Sequence, residues 1–321
     1  MSTLDFDPQT LPWADRDDFP AALDRRLADG TLDDDGAARL REWRERGFLH
    51  LQGAVEEALI DRLLEAYERA WTERPPVKLL VEGRGVVPFA ELPPRAEIGH
   101  HHYRVMDFQD VEPAAREIVL HPTILKHLRL IFDQTPVAMQ SLFFEYGSEQ
   151  RGHQDFPYVQ SAVLSHLVGC WVACEDVAPE SGPLFYYPGS HRLPKFDWGG
   201  GSLAFDGRDE SRVASFEAFL DEQCRKAGLE RLVLEAEKGD VLLWHAALVH
   251  GGSPVTDAGR SRKSFVVHYS SQTAYPRDRR FPDRPPRVLA RHGGRLYLPP
   301  APGLGRYARA VLHRLRRLLG G

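Results

Sequence analysis

Gly152-His153-Gln154-Asp155 is answered 95 residues after Asp155 by His250, and twelve residues further on by the run Arg262-Lys263-Ser264-Phe265-Val266-Val267-His268-Tyr269. In extended chain, residues two apart point to one face, so His153 and Asp155 converge on a single ion without strain. A third ligand must come from elsewhere in the fold. His250 suits that role, because it ends the run opened by Gly239-Asp240-Val241-Leu242-Leu243-Trp244, a turn feeding a buried apolar strand, and is followed by the turn Gly251-Gly252-Ser253-Pro254. Two imidazoles and one carboxylate are the facial set of non-haem Fe(II) oxygenases, which leaves adjacent positions open for a bidentate oxo-acid and dioxygen. In the Arg262 run the even positions share a face. Arg262 and Ser264 then look into the pocket that holds His250, where a guanidinium fork grips a carboxylate.

The stretch from Met139 through His153-Gln154-Asp155, Trp171, Gly182-Pro183-Leu184, Pro188-Gly189-Ser190-His191, Gly239-Asp240 and His250 to Arg262 resembles the phytanoyl-CoA dioxygenase family, over roughly residues 136 to 272. The resemblance implies a mostly β chain with flanking α-helices, its core a double-stranded β-helix of jelly-roll, cupin-like type. It also implies Fe(II), with 2-oxoglutarate as cosubstrate and O2 as oxidant. The metal ligands, and with them the catalytic centre, fall on His153, Asp155 and His250. Arg262 takes the distal carboxylate of 2-oxoglutarate, Gln154 and Trp171 match positions lining the cosubstrate pocket, and Ser253 or Ser264 adds a hydroxyl. In the family the arginine usually follows the distal histidine by eleven residues, whereas here Arg260 and Arg262 stand at ten and twelve. The strand register favours Arg262 and puts the extra residue in the loop Pro254 to Gly259, with Arg260 facing solvent.

That resemblance implies a dioxygenase that hydroxylates an unactivated C–H bond of a small-molecule, glycan or lipid-linked substrate, releasing succinate and CO2. Asp155 separates the chain from related halogenases, which replace the carboxylate ligand to admit chloride. Two other classes stay open. A zinc hydrolase uses similar ligands, but it needs a general base and has no use for Arg262. A barrel retained as a binding or membrane-recruitment module would work without the triad.

Composition frames these readings. The 321 residues are 42% hydrophobic, enough for one decorated oxygenase domain over 36–300, with the β-helix core at about 136–272 and an insertion at about 194–229. A net charge of -5 gives no bias toward nucleic acid. Cys170, Cys174 and Cys224 are odd in number and lack zinc spacing, which reads as buried thiols in a reducing cytoplasm. The start of the chain lacks a basic region and an apolar stretch, and no apolar run approaches 18 residues, so neither export nor a membrane span is expected.

Residues 1–35, acidic and broken by Pro8, Pro12 and Pro20, read as an arm laid over the surface, in part unstructured. Helices are expected at 33–46, ending at Gly47, at 54–73, at 111–132 and at 211–227, and strands at 48–51, 137–146, 162–177, 183–187, 231–236, 239–249 and 262–271. The loop Pro75 to Arg104 and the 194–229 insertion are the lid candidates. Arg104 reads as a solvated loop residue rather than one that reaches the cosubstrate or a substrate anion, Tyr158 as a substrate wall or as packing, and His166, His191, His245 and His268 as structural. His100-His101-His102 are consecutive and cannot easily aim three imidazoles at one ion. From 304 to 319 a basic amphipathic helix is expected. It suits either peripheral contact with the inner face of a membrane or docking on its own domain or a second subunit. Oligomeric state is not legible.

Overall fold

All eight residues of Ser264–Ser271 are buried, which requires a strand covered on both faces. The computed structural model describes residues 3–98, 103–207 and 209–300. Its elements in chain order are β1 (Thr3–Leu4), α1 (Phe19–Ala28), α2 (Asp34–Arg46), β2 (Phe48–Leu51), α3 (Glu57–Glu73), β3 (Lys78–Val81), β4 (Gly85–Pro88), α4 (Arg95–Ile98), β5 (Tyr103–Met106), α5 (Pro113–Val119), α6 (Pro122–Phe132), β6 (Pro136–Phe144), β7 (Leu167–Ala173), β8 (Leu184–Tyr186), β9 (Lys195–Phe196), α7 (Ser211–Lys226), β10 (Leu232–Val233), β11 (Val241–His245), β12 (His250–Gly252), β13 (Ser264–Ser271), β14 (Arg287–Arg291) and β15 (Gly294–Leu298).

The large sheet runs β2-β11-β7-β13-β6-β5-β3-β4, and the smaller one runs β10-β8-β12. Together they form the jelly-roll of a double-stranded β-helix. Period-two alternation sorts the side chains of the large sheet. Phe265, Val267 and Tyr269 of β13, with Cys170 and Val172 of β7, point outward into a core shared with α1, α2, α3, α5 and α6. Val266, Trp171 and Leu242 point inward, where they meet Leu184 and Tyr186 of the small sheet. Each such aliphatic or aromatic residue, fully buried, contributes about 1.5–3 kcal/mol. Cys170, Cys174 and Cys224 are free and buried, as composition suggested.

Local rules set the helix ends. Asp33 accepts from the Gly36 amide at 2.7 Å and starts α2. Gly47, at φ 78°, closes it in the left-handed region, and a Cβ there would stand 2.3 Å from His191 Nδ1. The helix expected over 111–132 is two, because Pro122 lacks an amide hydrogen and begins a new helix at its first position after His121.

Other departures have equally local causes. The N-terminal segment is not a loose arm: its described part carries β1 and α1, and Phe6, Trp13, Phe19 and Leu23 are buried. Trp13 Nε1 donates to the Leu130 carbonyl at 2.7 Å. The run expected as one strand over 239–249 stops at His245, turns, and resumes as β12 in the opposite sheet. The expected strand over 162–177 is limited to β7. The expected loop from Pro75 to Arg104 holds β3, β4 and α4 and leads into β5, so it extends the large sheet. The hairpin β14-β15, not anticipated, docks on β6 in parallel through Arg295 and Leu296. His100-His101-His102 and the 304–319 helix lie outside the described residues. Among the described residues no helix is long and apolar enough to cross a membrane.

Burial, and then the neighbouring His245, push the His191 imidazole down to about 3 from 6.5. Unfolding lets it take a proton at any pH below 6.5, so this stability is present above pH 6.5 and is lost as pH falls toward 3. The loss is up to about 1.4 kcal/mol per pH unit. Urea unfolding at pH 7 and pH 5 is expected to show His191→Gln losing less stability over that interval than the unsubstituted protein.

Candidate metal centre and cosubstrate pocket

His153 and Asp155 sit on a short extended segment that pairs with β12 through the bridge between His153 and His250. The two backbones exchange hydrogen bonds, His153 N to His250 O at 2.9 Å and His250 N to His153 O at 3.0 Å. This pairing of two distant segments brings the three side chains together, with all their ligand atoms within 4.8 Å of one another. His153 Nε2 and His250 Nε2 each lie 3.7 Å from Asp155 Oδ1.

The hydrogen bonds behind these atoms set their chemistry. His153 Nδ1 meets the Arg151 carbonyl at 2.9 Å, and His250 Nδ1 meets that of Leu248 at 3.0 Å. A carbonyl only accepts, so each Nδ1 carries the hydrogen and each Nε2 presents a lone pair to Asp155. Asp155 Oδ2 is occupied from behind. Trp244 Nε1 donates to it at 2.8 Å, and His268 Nε2 stands 3.3 Å away. The carboxylate thus offers one oxygen to an ion while the other is fixed. Burial opposes its ionisation, but His250 and His268 hold its pKa below the ordinary carboxylate range. Burial, then His250, pushes His153 down to about 4, which keeps it neutral and able to ligate.

A cavity of about 520 Å³ opens beside these atoms. Its wall includes Trp171, Arg262 and Phe144 near the triad, Leu80, Arg104 and Met106 from the sheet extension, and Tyr158, Val213 and Glu217 toward α7. Both lid candidates therefore reach it. Arg262 is buried, and burial, then Arg104, pushes its pKa down to about 10. Its guanidinium stands about 6 Å from the rings of Phe144 (5.9 Å) and Trp171 (5.8 Å). Arg262 Nε, Trp171 Nε1 and Ser264 Oγ are buried without a hydrogen-bond partner. A buried cation beside the orphaned indole N–H of Trp171 is a site that wants an anion with several acceptor oxygens, while Ser264 is fully buried and is not a wall residue. A dicarboxylate such as 2-oxoglutarate fits that donor set.

Arg260 is exposed and pairs with Asp257 at 3.5 Å, outside the cavity wall. Gln154 is not a wall residue either. Its amide nitrogen donates to the Ala247 carbonyl at 2.7 Å, because the residue between two ligands faces the opposite way. Ser253 Oγ is taken by Arg231 at 2.8 Å. Arg104, read from sequence as a solvated loop residue, instead lies on β5, lines the cavity and stands 5.1 Å from the Phe144 ring. Trp244 and His268 were not foreseen beside Asp155. The signal for His268 was present, since it shares the even-numbered face of β13 with Ser264.

Fold and site together define a jelly-roll barrel with a facial pair of histidines and one carboxylate at its mouth. The phytanoyl-CoA dioxygenase family model matches residues 43–264, more than half of the chain, and the chain belongs to that family, one of Fe(II)- and 2-oxoglutarate-dependent oxygenases. Among similar proteins, peroxisomal phytanoyl-CoA dioxygenase of Homo sapiens is 26% identical over 244 residues, 71% of this chain and 66% of that protein. Phytanoyl-CoA dioxygenase domain-containing protein 1 of Mus musculus is 29% identical over 161 residues, 49% and 53% of the two chains. The chain thus spans about half to two thirds of the length of these curated relatives. The fold is shared with the epimerase SnoN, solved with Fe3+, alpha ketoglutarate and nogalamycin RO, at a TM-score of 0.54, 21% identity and coverage of 88% and 97%. It is also shared with EctD from S. alaskensis, solved with 2-oxoglutarate and 5-hydroxyectoine, at a TM-score of 0.52, 15% identity and coverage of 76% and 77%.

Gly169 pairs with Trp244 on one side and His268 on the other, the two residues that hold Asp155 Oδ2. A Cβ on Gly169 would stand 2.2 Å from Trp244 Cε2. Gly169→Ala is therefore expected to displace the indole, lowering stability by about 1–3 kcal/mol and weakening Fe(II) binding. Thermal unfolding and an anaerobic Fe(II) titration measure the two effects.

Proposed function

We propose that this protein is a working Fe(II)- and 2-oxoglutarate-dependent dioxygenase. It hydroxylates an unactivated C–H bond of a small-molecule, glycan or lipid-linked substrate and releases succinate and CO2. The observation that carries the reading is the buried guanidinium of Arg262, with no anionic partner among the described residues, facing the same cavity as the three ligands. A zinc hydrolase has no use for such a cation. A binding module has no use for the fixed carboxylate behind it.

In this reading His153, Asp155 and His250 hold the iron through Nε2, Oδ1 and Nε2. Trp244 and His268 keep Asp155 from rotating, so Oδ1 would stay aimed at an ion held with His153 and His250 beside the cavity. Arg262 grips the far carboxylate of 2-oxoglutarate bidentately, while Trp171 Nε1 donates to the same anion, which fixes the oxo-acid in one orientation. When bound, the metal supplies dioxygen activation coupled to decarboxylation of the oxo-acid. Leu142, Leu184 and Val266 line the cavity and keep water from the reacting centre. Tyr158 and α7 bound the substrate side. Burial, then Glu217, pushes the Tyr158 hydroxyl up to about 12, so it meets a polar substrate as a neutral donor.

Under anaerobic conditions Fe(II) and 2-oxoglutarate together are expected to give a weak visible charge-transfer band. Losing a buried, charge-paired partner costs about 2–5 kcal/mol, so Arg262→Ala should weaken 2-oxoglutarate binding at least about thirtyfold. Arg260→Ala should leave the titration unchanged. Iron binding with no band in the unsubstituted protein would sink the 2-oxoglutarate reading.

A further inference from the structure

The turn between β11 and β12 supplies the carbonyls that hold the ligand segments. Ala246 O accepts from the Asp155 amide at 3.1 Å, Ala247 O from Gln154 Nε2 at 2.7 Å, and Leu248 O meets His250 Nδ1 at 3.0 Å. Three consecutive carbonyls therefore place Asp155, lock the residue between the first two ligands, and orient the ring of the third. The turn is itself held by His245, whose Nδ1 accepts the Ala247 amide at 3.0 Å. An amide N–H only donates, so His245 Nδ1 must be bare and the ring hydrogen must sit on Nε2. That nitrogen faces Asp15 Oδ2 at 3.4 Å, a charge contact outside hydrogen-bond geometry, with His245 buried and Asp15 nearly so.

Asp15 belongs to the N-terminal segment, far in sequence from the site, and it is held there firmly. Arg44 donates to the Ala14 and Arg16 carbonyls on either side of it, at 2.9 and 2.8 Å. Trp13 is tied to α6. The same segment reaches the site a second time, where Phe6 packs edge-on against Phe156, the residue after Asp155, with ring centroids 5.0 Å apart.

We infer that Asp15 is a positioning residue for the metal centre. By facing His245 Nε2 it selects the tautomer whose bare Nδ1 holds the Ala247 amide, and the turn so fixed aims Asp155 and His250. The N-terminal segment is then a strap that sets ligand geometry from behind the barrel. An aspartate that fixes an imidazole's tautomer from its far nitrogen is a general device in metal and catalytic sites. The inference rests on the reading that His153, Asp155 and His250 hold iron.

Asp15→Asn removes the charge that favours the hydrogen on Nε2, and with its amide nitrogen turned to Nε2 it draws the hydrogen onto Nδ1, where it opposes the Ala247 N–H. The probe is Fe(II) alone, titrated anaerobically, with imidazole ¹⁵N shifts of His245 read in parallel. Outer-shell partners of this kind cost about 10–100-fold in metal affinity. Asp15→Asn is expected near the lower end, about tenfold, with the His245 shifts moved to the other tautomer. In His245→Asn the side-chain oxygen accepts the Ala247 amide without a tautomer to select, so adding Asp15→Asn to it should weaken Fe(II) binding no further. Leu23→Ala loosens the same segment without touching His245. It should lower the unfolding temperature and leave Fe(II) affinity as it was.

Asp15→Asn binding Fe(II) as tightly as an unsubstituted protein that does bind it overturns the inference and spares the site reading. So does Leu23→Ala losing as much affinity as Asp15→Asn. An unsubstituted protein that binds no Fe(II) removes the site reading and this inference together.

Discussion

A carboxylate inside a barrel needs hydrogen-bond donors or a cation at its oxygens, and Asp155 finds donors for only one of the two. Oδ2 takes Trp244 and His268, while Oδ1 faces the two ligand imidazoles. Much of the surrounding architecture follows from this split. Trp244 and His268 come from β11 and β13, the strands on either side of β7, so the large sheet must pair in one register for both to reach the same oxygen. Gly169, between them on β7, has no side chain because the indole occupies that space. A slip of one residue would turn every inward side chain outward. The register of the sheet and the direction of one carboxylate are therefore the same constraint.

The site also needs two segments that are distant in sequence to be joined at the backbone. The bridge between His153 and His250 does this, and the turn 246–248 adds three carbonyls that serve no ladder of their own. Buried carbonyls demand donors. Those found here are the ligand segments themselves, so satisfying the turn's backbone and aiming the ligands are one event. Short turns that begin and end in opposite sheets are stiff, which suits a centre whose three ligand atoms must stay close together.

Much of this was legible in the sequence, and the reasons differ from residue to residue. The two-residue spacing of His153 and Asp155 has one geometric consequence in extended chain, and α2 carries its own start and stop in Asp33 and Gly47. The even-numbered face of β13 was legible as well, yet His268 was assigned a bland role because periodicity gives a face and not a partner. Arg104 was misplaced for a tertiary reason. Prolines and glycines around it look like a loop, and only pairing with β6 and β3 turns the segment into a strand facing the cavity. The N-terminal segment shows the same limit. Its prolines begin two short turns and α1, and its acidic residues mostly face water, but Phe6, Trp13 and Phe19 are buried in the folded chain.

The cavity's two ends are built differently. Near the triad the wall is mostly strand side chains, Trp171 among them, with Arg262 two residues before β13 and its amide bonded to the Glu145 carbonyl at 2.8 Å. Toward solvent the wall comes from α7, which lies in the insertion and carries Val213 and Glu217, and from Tyr158, which rests edge-on against Trp198, Phe205 and Phe216. Those aromatic partners belong to the insertion and pack largely on one another. Val249, the residue before His250, belongs to the same cluster. The pairing of Arg151 with Glu217 at 3.3 Å ties the insertion to the ligand segment as well, two residues before His153, so the element that bounds the cavity also leans on the segments that carry the ligands.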